Sequence, residues 1–255
     1  MLDFWVDVGS VGAFALIFSR VSGMFLFAPV YGSASVPVQL KVLFVFLVSY
    51  IVQTTGIVDI SGLKGPILYF VFSELLYGML IGYITYAYTS VFFTMGKIVD
   101  FKLGFGMANV MDPQTRTQVS MFGNFFYVFS TLIFLSVNGH HFILKSVINS
   151  YGSVGAGRFI LTQAHMDIVV EAFSKAFEIG AVLSFPVIVI VIVSDLLLGV
   201  LSKTMPQLNI FVVGMPLKIF LGIAIILIMV PAIFQLTVNV YEIMMDSVFR
   251  FLRIG

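Results

Sequence analysis

The sequence predicts an all-α integral membrane protein of about six long, broken helices arranged as hairpins. Three observations support this fold class. The 255 residues are 60% hydrophobic, only 10% are charged, and the apolar residues fall into six long runs. A soluble domain has about 45–50% apolar and about 25% charged residues. Closed β-barrels can also span membranes, but they need segments of roughly ten residues with alternating polarity, and the sequence lacks that alternation.

The six apolar segments are separated by turn signals rich in glycine and proline. The predicted segments are residues 11–31, 38–52, 66–99, 119–151, 167–201 and 215–249. Because proline disrupts a helix interior but is tolerated in the first turn, we expect Pro186 to interrupt the fifth segment and Pro216 to lie in the first turn of the sixth. Asn138-Gly139 predicts a break inside the fourth segment, where one helix ends and the next begins.

The longest weakly apolar interruption lies at residues 101–118, between the third and fourth segments. Glycine tolerates a positive φ angle, and the Asp112-Pro113 pair disfavours helix, so this stretch is predicted to be a loop. A loop at membrane depth must be buried in protein or line a cavity. An ordinary packed connector and a pore-lining loop both remain open for its two glycines and its apolar side chains, Gly104, Phe105, Gly106, Met107, Val110 and Met111.

Five charged side chains lie inside the predicted helices. One charge at the centre of a bilayer costs about 2.5–3.5 kcal/mol on insertion scales. Each charge must therefore face another helix, another subunit or water, which favours helices that pack into an assembly. The five residues are Arg20, Glu74, Lys175, Glu178 and Asp195.

Glu74, Gly78 and Gly82 recur at a four-residue spacing and so share one helix face. Small residues at that spacing let two helix backbones approach closely. We expect a helix–helix contact there; a proton-relay role for the carboxylate is the functional alternative. At the end of the fifth segment, Gln207 and Asn209 can bond free backbone groups.

Several kinds of chemistry are not expected from this sequence. The chain has no cysteine, and its formal net charge of +1 offers no basic face for nucleic acid. His140 and His141 are adjacent and so do not share a helix face, which disfavours a metal site. The Gly104-Phe-Gly106 pattern lacks the third glycine of a dinucleotide fingerprint. No catalytic, cofactor-binding or metal-binding residues are predicted.

Six sequence blocks, taken in order, resemble the FliR/SctT family of export-gate subunits in bacterial type III secretion. The Asn109-to-Gln114 and Pro206-to-Gly214 forms resemble flagellar rather than injectisome members. The blocks are Arg20-Val-Ser-Gly23-Met-Phe-Leu-Phe-Ala28-Pro29 with Val36-Pro37 and Lys41, then Glu74, Gly78 and Gly82, then Gly104-Phe-Gly106 with Asn109-Val-Met-Asp112-Pro113-Gln114, then Phe134-Leu-Ser-Val-Asn138-Gly139-His140-His141, then Asp195 and Gly199, and finally Pro206-Gln-Leu-Asn209-Ile-Phe211 with Gly214, Pro216 and Lys218.

The resemblance implies a gate subunit of the inner membrane and flagellar basal body. It implies assembly with FliP and FliQ, further contacts with FlhA and FlhB, passage of unfolded flagellar proteins, and no catalytic residue. Residues 1–166 would be a FliP-like half, with a pore-plugging loop at 101–116, and 167–255 a FliQ-like hairpin and tail. Assembly and packing roles are expected for Arg20, Glu74, Gly78, Gly82, Asp195, Gln207, Asn209 and Lys218.

Two alternatives stay open at this point. An injectisome-type homologue would export virulence effectors through the same kind of gate. A small-solute secondary transporter would also have broken helices and carboxylates near the bilayer midplane. The sequence shows no internal repeat of the kind such transporters carry, which argues against the second alternative.

Overall fold

The part of the chain that the structure describes is built from α-helices. The computed structural model describes residues 10–33, 35–58, 63–105, 120–205 and 210–254. Within these residues there is no β-strand, and the predicted all-α class is confirmed. The seven helices are α1 (Ser10–Phe27), α2 (Val38–Thr54), α3 (Ile67–Leu103), α4 (Met121–Ser136), α5 (Gly139–Ser153), α6 (Gln163–Thr204) and α7 (Ile210–Arg253).

Three of the described helices are long and apolar enough to cross a membrane. They are α3 with 37 residues, α6 with 42 residues, and the 42 residues Val212–Arg253 of α7. The bent pair α4–α5 would add a fourth span if counted as one. A bilayer core needs only about 20 helical residues. Each long helix therefore has turns to spare beyond the hydrocarbon region.

The structure corrects the predicted placement of two prolines. Pro186 lies inside a continuous α6, so the predicted break there is wrong. Helix α7 already begins at Ile210, which places Pro216 in the helix interior and not in its first turn. Proline removes one backbone donor and crowds one carbonyl, but membrane helices accommodate it through local adjustments and neighbouring groups. In these long apolar helices the remaining hydrogen-bond ladder outweighs that local loss.

The predicted loop at 101–118 begins three residues later than expected. Residues 101–103 complete the last turn of α3, where Leu103 is fully buried. Gly104 then takes a φ of 90°, a left-handed conformation that glycine adopts without strain and that commonly ends a helix. Gly104 is therefore the point at which the chain leaves α3.

The break predicted between two halves of the fourth segment is confirmed. Asn138 has φ 58° and ψ 28°, the left-handed region that asparagine tolerates better than most residues. Gly139 then begins α5 with the Phe134 ring where a Cβ atom would sit. An added methyl group would have to displace that ring, which explains a glycine at this position.

The chain divides into two compact units, which are described separately below. Unit 1 comprises Met1–Tyr88, Phe134–Ser174 and Val240–Gly255, and unit 2 comprises Thr89–Ile133 and Lys175–Asn239. These boundaries are set by contacts within the fold. The predicted division at residue 166 concerns likeness to FliP and FliQ, and it stays a prediction.

Many hydroxyl groups on the helices are satisfied by their own helix. Each donates to a backbone carbonyl three or four residues earlier, at 2.6 to 2.9 Å, a local bond that serine and threonine commonly make. Buried examples are Ser49 to Val45, Ser73 to Phe70, Thr85 to Gly82, Ser194 to Val191 and Thr237 to Ile233.

Candidate functional site

Unit 1 is built around a completely buried ion pair between α1 and α3. Arg20 and Glu74 both have no exposed surface. The Arg20 Nε donates to Glu74 Oε2 at 2.5 Å, and Nη2 donates to Oε1 at 3.0 Å. This is the bidentate fork with which arginine best matches a carboxylate. Two charges predicted to need partners thus neutralise each other inside the chain.

Both members of the pair also bind the segment that follows α5. The Arg20 guanidinium donates from Nη1 to Ser150 Oγ at 2.7 Å and from Nη2 to the Val154 carbonyl at 3.1 Å. The Gly157 backbone N–H donates to Glu74 Oε1 at 2.7 Å. Buried charges are tolerable only when such additional bonds satisfy their remaining donors and acceptors. The pair therefore fixes the α5–α6 connection as well as the α1–α3 contact.

Two aromatic rings enclose the Arg20 guanidinium. Its Cζ atom lies 3.9 Å from the Tyr151 ring centroid and 4.7 Å from that of Tyr77. A cation over an aromatic face gains about 0.5–2 kcal/mol, more when water is excluded. Tyr77 in turn packs on Phe159 and stacks on Phe251. The cluster thereby links α1, α3 and α5 to the end of α7 within unit 1.

Glycines bring the α1 and α3 backbones into direct contact beside this cluster. A Cβ atom at Gly78 would overlap the Arg20 carbonyl oxygen, and one at Gly82 would lie 2.6 Å from the Met24 carbonyl oxygen. From the other side, a Cβ at Gly23 would overlap the Leu75 carbonyl oxygen. The structure thus places the face predicted from Glu74, Gly78 and Gly82 against α1, with the carboxylate paired and hydrogen-bonded.

In unit 2, three of the predicted residues lie together around one groove. Lys218 of α7 forms an ion pair with Asp195 of α6. Their side chains are 25% and 49% exposed, respectively. The groove measures about 310 Å³ and is also lined by Lys102 and Gly104 from the end of α3. The exit of the chain from α3 therefore lies beside a charged pair that joins the two long helices of unit 2.

Asp100, which the sequence did not single out, caps the start of α4. Its Oδ2 accepts from Ser120 Oγ at 2.5 Å, and its Oδ1 accepts from the Phe122 N–H at 3.1 Å. The Phe105 ring lies 6.0 Å from the Phe122 ring in an edge-on arrangement. Of the predicted plug residues, Phe105 thus packs against the first turn of α4.

Six of the remaining predicted positions lie outside the described residues, and one is exposed on α6. Gly106, Met107, Val110 and Met111 of the plug, and Gln207 and Asn209 of the α6–α7 connection, lie outside the described residues. Glu178, one of the five internal charges, is exposed on α6. Since α6 is long and apolar enough to span a membrane, this carboxylate marks a side of the helix that is unsuited to lipid.

The signals for the missed residues were weak in the sequence. Ser150 and Tyr151 lie in an amphipathic stretch whose pattern is typical of an ordinary helix. From the sequence alone, an aspartate near a helix end is expected to face solvent, but Asp100 is only 7% exposed. A search for one serine and one acid flanking the loop could have found the Asp100–Ser120 bond, because serine, threonine, aspartate and asparagine are strongly preferred at helix N-caps.

Comparison with known proteins gives the context for this geometry. The family model described as bacterial export proteins, family 1, matches residues 11–244. The chain is 32% identical over 245 residues to the flagellar biosynthetic protein FliR of Bacillus subtilis, covering 92% of each chain. It is 30% identical to FliR of Aquifex aeolicus, over 85% of this chain and 84% of the relative.

A relative that carries a different name is also similar. The surface presentation of antigens protein SpaR of Shigella flexneri is 29% identical over 213 residues, covering 83% of this chain and 82% of the relative. The predicted family and membrane localisation are confirmed by these matches together with the long apolar helices. The chain belongs to the bacterial export proteins, family 1, and is a membrane component of type III export.

Proposed function

We propose that the chain assembles with FliP and FliQ into a hetero-oligomeric gate for unfolded flagellar proteins, beside FlhA and FlhB. The observation that carries this proposal is the presence of two exposed carboxylates along the apolar helix α6. Glu178 is exposed there, and the Asp195 side chain is 49% exposed. Carboxylates inside an apolar span avoid lipid and face protein or water. A neighbouring subunit or an aqueous channel would provide such surroundings for both carboxylates.

The large exposed apolar surface agrees with a subunit that is covered on assembly. Helix α2 presents nine large apolar side chains on several of its faces, and only 17% of the most apolar stretch of α7 is buried within the chain. Contiguous apolar surface of this extent is characteristic of a membrane or subunit contact. The nine residues are Val38, Leu40, Val42, Leu43, Phe44, Phe46, Leu47, Tyr50 and Ile51.

The chain expressed alone should not form a stable monomer. Without neighbouring subunits, Glu178 and the exposed part of the Asp195–Lys218 pair would meet lipid or detergent, and one charge at the centre of a bilayer costs about 2.5–3.5 kcal/mol. We expect aggregation or rapid proteolysis of the chain alone, and one discrete particle when FliP and FliQ are co-expressed. Size-exclusion chromatography and limited proteolysis in detergent measure this. A monodisperse, protease-resistant monomer made without partners would count against the assembly.

The same proposal assigns residues 101–116 as the element that closes the empty pore. Apolar constrictions can exclude ions by dewetting, without any fixed charge. Methionine suits this task because it repacks around varied neighbours. The proposal divides the chain into a FliP-like half, residues 1–166, and a FliQ-like half, residues 167–255.

Deleting residues 104–111 should leave the complex assembled but permeable to small ions. Replacing Met107 and Met111 together with alanine should give a milder leak, because alanine shortens the apolar barrier without removing it. Growth in added salt and membrane conductance, in cells making the full complex, are the measurements. A deletion variant that assembles and stays sealed would reduce the loop to a packed connector.

Use in an injectisome is the second candidate, and the similarity to SpaR supports it. Genetic complementation distinguishes flagellar use from injectisome use. We expect the gene to restore motility to a flagellated cell that lacks its own FliR. Restoration of effector secretion alone, in a cell that lacks SpaR, would favour the second use.

A further inference from the structure

A buried histidine closes the first turn of α6. His165 is only 2% exposed. Thr162 is the N-cap of this helix, since its carbonyl accepts from the Met166 N–H at 3.3 Å. The His165 Nδ1 accepts from the Thr162 backbone N–H at 3.3 Å, and the Thr162 Oγ1 lies 2.6 Å from the same nitrogen. The histidine thus takes the place of the glutamate or glutamine that reaches back to the N-cap in a capping box.

These hydrogen bonds require a neutral imidazole ring. A backbone N–H can only donate, so the His165 Nδ1 must accept and cannot carry a proton. The ring proton therefore lies on Nε2, which is buried and has no hydrogen-bond partner among the described residues. A second proton would occupy Nδ1 and remove the acceptor of the Thr162 N–H. It would also place a positive charge at a helix N-terminus, where the free N–H groups favour a negative one.

Two phenylalanine rings enclose His165 within unit 1. The centroid of the His165 ring lies 5.3 Å from that of Phe159 and 5.0 Å from that of Phe251, edge-on to each. Both phenylalanines also contact Tyr77, whose ring lies beside the Arg20 guanidinium. An imidazolium in these surroundings would lose its hydration, and its Nε2–H would still lack a partner. The neutral ring is therefore the form that packs between the start of α6 and the cluster around the ion pair.

The carboxylates on the packed elements are not free to stabilise an imidazolium. Within the described part of unit 1, Glu74 is bound by Arg20, and Glu171 is bound by Arg250. A charge on the ring would thus be buried without a counter-charge, which is costly. The other charged residues that the α5–α6 connection, the start of α6 and the end of α7 carry in this unit are exposed: Arg158, Asp167, Glu242, Asp246 and Arg253.

We propose that His165 forms a pH switch at the start of α6. The neutral ring keeps the first turn of α6 attached to the α5–α6 connection, and protonation releases it. Arg20 and Glu74 bind the same connection, so its release loosens unit 1 around the ion pair. A released ring protonates with the ordinary histidine pKa of about 6.5. The contribution of His165 to stability is therefore complete above about pH 6.5 and is lost progressively as the pH falls below that value.

Hydrogen exchange measured by mass spectrometry tests the switch on the chain purified from membranes with the subunits that stay bound to it. From about pH 7.5 to about pH 5.5 a released ring changes from mostly neutral to mostly protonated, so the released fraction should rise about tenfold. Residues 159–168 should then lose protection about tenfold, after correction for the direct effect of pH on amide exchange. Residues 79–88 of α3, in the same unit, are the internal reference and should change little.

His165→Gln should abolish this response, because glutamine can accept from the N-cap N–H and does not titrate. His141→Gln is the matched control, since His141 is an exposed histidine on α5, and it should respond as the unaltered chain does. Each variant is compared with the unaltered chain at the same pH, which removes the effect of other titrating groups.

Three results would overturn the switch. Equal loss of protection in residues 159–168 and 79–88 would show a general sensitivity to acid. An unchanged response in His165→Gln would assign the response to another group. If His165→Gln does not fold, the unaltered chain decides the question, and the absence of a preferential loss in residues 159–168 would refute the role of His165.

Discussion

Glu74→Ala should prevent the chain from folding into a form that joins the complex. The change leaves Arg20 as an uncompensated charge with no exposed surface, and it removes the acceptor of the Gly157 N–H. Breaking one partner of a buried pair costs about 3–5 kcal/mol. Whole domains are stable by only about 5–15 kcal/mol, so this single loss is large. We expect little assembled complex and no motility.

The amount of chain that co-purifies with its partners is the measurement for Glu74→Ala. Asp246→Ala is the control, because that carboxylate is 71% exposed and pairs with Arg250 within one helix, an interaction worth only about 0.3–0.5 kcal/mol. The double variant Arg20→Met with Glu74→Leu should recover part of the assembly, since two apolar side chains leave no buried charge. Normal assembly of Glu74→Ala would show that the pair does not stabilise the fold.

Gly78→Leu should be nearly as damaging, for a steric reason. Its Cβ atom alone would overlap the carbonyl oxygen of Arg20, which is backbone and cannot turn aside as a side chain can. Overpacking costs typically about 1–3 kcal/mol, and occasionally more. Separating α1 from α3 would also pull Arg20 away from Glu74. The steric overlap and the loss of the ion pair are therefore coupled. Combining Gly78→Leu with Glu74→Ala should cost less stability than the sum of the two single changes.

Gly152→Leu provides the comparison for Gly78→Leu. Gly152 also belongs to a helix of unit 1, but nothing lies within 4 Å of the position where its Cβ would be. Thermal stability of the purified complex and motility on soft agar should fall for Gly78→Leu and change little for Gly152→Leu. Gly82→Leu should resemble Gly78→Leu, since Met24 backbone faces it at 2.6 Å. Equal behaviour of Gly78→Leu and Gly152→Leu would refute the close contact.

Features that depend on spacing along one helix could be predicted from the sequence. Apolar runs longer than 30 residues indicated α3, α6 and α7, and the glycine pair on α3 indicated a close helix contact. The Asn138-Gly139 break was readable because a left-handed residue followed by glycine is a local signal. All of these depend on residues close together in sequence.

Features that join distant parts of the chain could not be predicted in the same way. Arg20 and Glu74 are 54 positions apart, and Ser150 is 130 positions from Arg20. Composition shows that each charge needs a partner, but it does not identify the partner. The positions of Pro186 and Pro216 within their helices were misjudged for a related reason. Rules drawn from water-exposed helices overstate the local cost of proline when a long apolar helix keeps the rest of its hydrogen bonds.

The hydroxyl groups that bond within their own helices bear on how the chain is made. A polar side chain that needs a hydrogen-bond partner on another helix is unsatisfied in lipid until that helix has packed beside it. Ser49, Ser194 and Thr237 have no such requirement, because the carbonyl they bind is one turn away on the same helix. These side chains can therefore meet lipid during insertion and the neighbouring helices of the folded chain afterwards, and they keep the same hydrogen bond in both environments.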